Sequence, residues 1–223
     1  MLYLTNLALV NTMNTAASQM NHGLMMQALD FAYQKAINGM VGLDSAYTLA
    51  DHYRQSNIAW DQQVNRLIRW QDAKCGVSGF VTGLGGLLAM PVTLPASLTS
   101  SLFIQIRMIA AIAILAGHDV RNDRVQTLVY ACLVGHAVKD VLKSTGINIG
   151  TKLGTQMMKN VSTQTIKQIN KRIGFCLLTK FGSRGVINLG KCLPLVGGII
   201  GMSCDGISTH LIGKTAKKVF FED

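Results

Sequence analysis

Between Cys75 and Ile106 the chain carries no charged residue; Arg107 then stands alone, and Met108 to Gly117 is uncharged again. A run this apolar belongs in the interior of a fold or in a bilayer. Gly79, Gly83 and Gly86 recur at three- to four-residue steps in SGFVTGLGGLLAM, a spacing that lets two helix backbones approach closely. Each such glycine costs about 1 kcal/mol of helix propensity relative to alanine, so tight packing has to offset it. Pro91 and Pro95 divide the run. Pro95 suits the first turn of a second helix, which reaches Leu115 with Gly117 as its stop signal.

The rest of the chain is helical in pattern, and strand signals are scarce. Residues 23–38 read as an amphipathic helix through Leu24, Ala28, Phe31 and Lys35. Asp44 or Ser45 caps a helix over 46–55, with Tyr47, Ala50 and Tyr53 on one side. A longer helix over 58–74 has the stripe Ile58, Trp60, Val64, Leu67, Ile68 and Gln71. Trp60 and Trp70 read as core residues, with interfacial anchors as the alternative. Asn122 caps one continuous helix over 123–143. Residues 147–181 form one or two amphipathic helices through Leu153, Met157, Val161, Ile169, Ile173 and Leu177, ended by a break around Gly182, Gly185 and Gly190. A second glycine-rich stretch follows, with Gly197, Gly198, Gly201, Gly206 and Gly213. The expected fold is all-α: a single-domain helical bundle over 23–221 with buried glycine-rich hydrophobic helices, after a lead-in over 1–22.

Charge divides the chain. The net charge is +10, yet residues 1–110 hold only six Lys/Arg against five Asp. Lys139 to Lys191 alone carries ten bases and one acid, Asp140. Such a block attracts polyanions. It has few aromatic residues to stack on bases and no nucleic-acid motif, so anionic lipid is the expected partner and nucleic acid is not. Lys152, Lys159, Lys167, Lys171 and Arg172 are the expected membrane-binding residues, on a basic amphipathic helix. A solvated outer face is the bland alternative.

Charged residues amount to 14% of the chain, against roughly a quarter in ordinary domains. That places the sequence between soluble and polytopic membrane proteins. A helical hairpin through 75–117 would have only a marginal first span before Pro91. The five cysteines are odd in number and fall at no zinc spacing, so they read as reduced thiols. The N-terminus has no secretory signal or lipidation motif. Together these point to the cytoplasm.

A buried guanidinium at Arg107 needs partners, because an isolated buried charge is strongly unfavourable. Asp119, Asp140 and Asp205 are the candidates, as a structural ion pair or a phosphate or substrate site. Cys132, His136 and Asp140 stand at i, i+4 and i+8, but eight residues of helix span about 12 Å, too far to share one ion. No metal or cofactor is expected. No P-loop, HExxH, Rossmann fingerprint or GxSxG elbow is present. A site assembled in three dimensions would draw on Gln105, Arg107, His136, Asp140 and Asp205.

The combination LIRWQDAKCGVSGFVTGLGGLLAMPVTLPASLTSSLFIQIRMIAAIAILAGHD, with TLVYACLVGHAVKDVLKSTG and FGSRGVINLGKCLPLVGGIIGMSCDGISTHLIG, resembles the EcsC family of bacterial proteins. The resemblance marks Gln105, Arg107, Asp119, Asp140, Asn188, Lys191 and Asp205 as family-motif positions without giving them a catalytic role. It implies a helical, membrane-associated protein, and the family is named from a gene beside those of an ABC exporter. A membrane protein complex is therefore the second expected partner. The expectation is a peripheral protein on the cytoplasmic side of the inner membrane, accessory to transport or secretion. The alternative is an enzyme acting on a lipid or phosphate-bearing substrate around Arg107, with Asp140 or His136 as acid or base.

Overall fold

A computed structural model describes residues 23–40, 42–54, 57–76, 96–146, 161–188 and 209–221. Among them the secondary structure is helical, without strands beyond one isolated bridge between Met40 and Leu43. The fold is a single all-α bundle. We number its helices α1 (23–38), α2 (Ala46–Tyr53), α3 (Trp60–Gly76), α4 (Ala96–Leu115), α5 (Asp123–Leu133), α6 (Val138–Lys143), α7 (Thr163–Asn188) and α8 (209–220). The glycine-rich helices expected before Pro91 and after Gly190 lie outside the described residues, as does the stretch bearing Lys152 and Lys159.

Helix α4 is the axis of the bundle. Every residue from Leu102 to Ile114 is buried, as a helix apolar on all sides requires. Helices α2, α3 and α5 pack against it. Its end is a Schellman turn: Gly117 N–H donates to the Ile114 carbonyl and His118 N–H to that of Ala113, both at 3.0 Å. Gly117 takes a φ of +84° to close it. Arg54, at the end of α2, donates to the Ile114 carbonyl. Ser45 caps α2 by accepting from Thr48 N–H, and Asn122 caps α5 by accepting from Arg124 N–H.

Helices α3 and α8 run antiparallel. Along the pair His210 meets Asp72, Gly213 meets Ile68, and Lys217 meets Asn65 and Asp61. A Cβ on Gly213 would fall 2.8 Å from Cγ1 and 3.0 Å from Cγ2 of buried Ile68. One glycine of the second glycine-rich stretch thus provides the close helix crossing that its spacing implies. Helix α1 is tied to the other side of the bundle. Tyr33 and Tyr130 meet edge to face, Tyr33 Oη donates to the Val120 carbonyl, and Tyr130 Oη donates to Asp30 Oδ1. Burial is the main cause that raises both hydroxyl pKa values, so the two remain donors.

Three expectations need correcting. The helix over 123–143 is interrupted. Gly135 takes a φ of +63°, and a 3-10 turn at Gly135–Ala137 separates α5 from α6. Conversely, α7 runs through Gly182 and Gly185 to Asn188, since a helical glycine is costly but not forbidden. Trp60 and Trp70 are not core residues; they are 44% and 55% exposed. The buried stripe of α3 is Val64, Leu67, Ile68 and Gln71. Trp70 lies off that stripe. Trp60 opens the helix at the edge of the bundle, where it stacks on Phe221 with Lys217 nearby.

Candidate functional site

Two regions gather the polar residues. The first is a buried seam where α3, α4 and α8 meet. Arg107 is 2% exposed. Its Nη1 donates to the Asp44 carbonyl at 3.1 Å and its Nη2 to Gln71 Oε1 at 3.4 Å, while the guanidinium sits over the Phe103 ring. This fork ties the start of α2 to α3 across α4, a geometry an ammonium cannot reproduce. Two residues earlier on α4, buried Gln105 donates from Nε2 to Thr209 Oγ1 at 3.2 Å. Next to Thr209, His210 Nδ1 lies 2.7 Å from Asp72 Oδ2. The other Asp72 oxygen is buried with no hydrogen bond among the described residues, and so is Gln71 Nε2. Burial holds the Asp72 carboxyl above its ordinary range, and the bond to His210 pulls it partway back.

The seam keeps Gln105 and Arg107 of the expected polar cluster and does not bring Asp119, His136 or Asp140 to them. All three are exposed. Asp119 accepts from Arg121 N–H in the link after α4. His136 lies in the 3-10 turn, and Asp140 opens α6. Asp119 and Asp140 are therefore not the partners of Arg107. Among the described residues the guanidinium donates to a neutral carbonyl and an amide, and solvent already stabilises the two exposed acids. Asn188 ends α7, while Lys191 and Asp205 lie outside the described residues. Cys132 cannot join His136 and Asp140 at one ion. It is fully buried, with its thiol pKa raised by that burial, and the helix breaks between it and them.

The second region is the surface of α6 and α7, which pack together. Ser162 begins α7 by accepting from Thr165 N–H at 3.2 Å. Ile169, Ile173 and Leu177, spaced by four, are buried, in the layer where α7 packs on α5 and α6. The opposite side exposes Lys167, Lys171, Arg172 and Phe175. Helix α6 adds exposed Lys139 and Lys143, and Asp140 is the one carboxylate on either helix among the described residues. Three of the five expected membrane-binding cations are thus described, and all three face solvent.

Sequence reasoning missed the Asp72–His210 pair, whose members are far apart in the chain and meet only through the α3–α8 register. It also missed Phe175, although its place four residues after Lys171 and three after Arg172 puts it on their helical face. No described helix is long and apolar enough to cross a membrane.

No curated protein and no solved structure matches the chain. A family model does, over residues 5–221, and its description is the EcsC protein family. The matched region contains both the buried seam and the basic surface, and on that near-complete match the chain belongs to the EcsC protein family.

Proposed function

We propose that the protein is a peripheral membrane protein that docks on anionic lipid through the outer surface of α6 and α7, on the cytoplasmic side of the inner membrane. One observation carries this reading: the two helices expose Lys139, Lys143, Lys167, Lys171 and Arg172 against the single carboxylate of Asp140. Each such cation near an anionic leaflet is worth about 1 kcal/mol, so the set suffices for reversible attachment. In this reading the protein is an accessory to a membrane transport or secretion system and reaches its membrane partner by docking rather than spanning. Flotation with neutral and anionic liposomes at low and high salt tests the proposal. Binding to anionic liposomes alone, weakened by salt, is the expected result; indifference to lipid charge contradicts it.

A second reading, an enzyme acting on a lipid or phosphate-bearing substrate beside Arg107, is favoured by the Asp72–His210 pair. Its carboxylate holds Nδ1 of a histidine whose side chain is 40% exposed, an arrangement that orients an imidazole as a general base. This reading predicts that phospholipid vesicles incubated with the protein yield new lipid species by mass spectrometry, and that His210→Asn abolishes them. Lipids left unchanged by the wild type would end it.

A further inference from the structure

Phe175 is 58% exposed, beside 55% for Trp70 and 44% for Trp60. A lone exposed aromatic is ordinary; its setting is not. Lys171 and Arg172 lie one turn before it and Lys167 two turns before it on the same exposed side of α7. No carboxylate stands on that helix among the described residues. Leu178, three residues on, is partly buried against the core and continues the apolar spot inward. The ring therefore follows directly on a row of exposed cations. A surface that offers positive charge to phosphates and one aromatic ring among them matches the headgroup–acyl boundary of an anionic bilayer. A polyanion that offers charge alone, such as a polyphosphate, would give the ring nothing to bury against, and a single ring is a sparse platform for successive bases.

Resting on the docking proposed above, we infer that Phe175 is the anchor of that surface. It enters the acyl boundary while Lys167, Lys171 and Arg172 hold the surrounding phosphates. This assigns the two parts of binding to different residues. The cations set the dependence on lipid charge and salt, and Phe175 adds a contribution that salt does not screen.

The test is the partition coefficient of the full chain onto phosphatidylserine-containing vesicles across a salt series, for wild type, Phe175→Ser and Phe175→Trp. Because the ring is exposed, all three should keep the same helicity and melting temperature. Phe175→Ser is expected to lower the partition coefficient about tenfold at every salt concentration, leaving the salt slope unchanged. Phe175→Trp, which keeps an interfacial ring, is expected to restore it. Wild-type partitioning in Phe175→Ser would overturn the anchor while leaving the electrostatic docking intact. A wild type that does not bind these vesicles at low salt would overturn both.

Discussion

Helices α4 and α7 run 20 and 26 residues and handle positive charge in opposite ways. Helix α4 buries residues on every side and carries one cation, Arg107, whose fork donates to the Asp44 carbonyl and the Gln71 amide inside the bundle. Helix α7 buries one stripe and turns Lys167, Lys171 and Arg172 to solvent. The comparison teaches that the side of the helix on which a cation falls decides its work. Arg107 holds helices together. Lys167, Lys171 and Arg172 lie on the exposed side of α7, where a partner can reach them.

The largest expected effect breaks the α4 side of that comparison. Arg107→Ala leaves Gln71 Oε1 buried without its donor, unties the Asp44 carbonyl and opens a cavity beside Phe103. The lost bond to buried Gln71 and the cavity should destabilise the protein by about 2–3 kcal/mol, a fall in melting temperature of about 2–4 °C for each kcal/mol in a chain of this size. Arg107→Lys should recover part of the loss and bind vesicles like the wild type, since the seam lies away from the docking surface. Arg172→Ala should stay within about 0.5 kcal/mol of wild type by thermal or urea unfolding. Equal stability losses at the two arginines would erase the distinction.

Next in size is the α3–α8 crossing. Gly213→Ala drives a Cβ into the branched atoms of buried Ile68, at an expected cost of about 1–3 kcal/mol. Ile68→Ala, which removes both Cγ atoms, should make the added cost of Gly213→Ala smaller than it is in the wild type when the two are combined in a double-mutant cycle. Unchanged unfolding in the single variant would show that the crossing has slack.

The smallest effect is a pH dependence. Burial raises the Asp72 carboxyl pKa above its ordinary 3.8, against the opposing bond from His210. A carboxyl raised in the folded state contributes stability that is full below the unfolded pKa and is lost as pH rises through the folded one. Asp72→Asn removes that loss and keeps an oxygen for His210. The variant should therefore gain on the wild type in urea unfolding as pH climbs from about 4 toward neutrality. A widening deficit over the same range would mean that the charged His210–Asp72 bond outweighs burial.

What the sequence revealed follows from which forces are local. The caps at Ser45 and Asn122 and the stop at Gly117 were legible because each is built within a few residues. The Ile169, Ile173 and Leu177 stripe was legible because helical period alone selects it. The Asp44 carbonyl and Gln71 were not legible as partners of Arg107. Charge pairing favoured Asp119, Asp140 and Asp205; packing leaves the first two exposed and places Asp44 and Gln71 at the guanidinium, while Asp205 lies outside the described residues. Gly135 was equally opaque: in VGHAVKD nothing distinguishes a glycine tolerated in a helix from one at positive φ. The tryptophans misled because size suggested burial, while the narrow α3 stripe had room only for Val64, Leu67, Ile68 and Gln71. Of the candidate regions, the basic surface was visible in the charge block and its central Phe175 was overlooked. The Asp72–His210 bond exists only through tertiary register.

The most direct test of the account compares wild type with the triple variant Lys167→Ala/Lys171→Ala/Arg172→Ala, measuring affinity for phosphatidylserine-containing vesicles at low salt alongside melting temperature. Three cations at about 1 kcal/mol each predict an affinity loss of roughly a hundredfold, with the melting temperature unchanged and the salt dependence flattened. Wild-type affinity in the triple variant would contradict the claim that this face of α7 is where the protein meets the membrane.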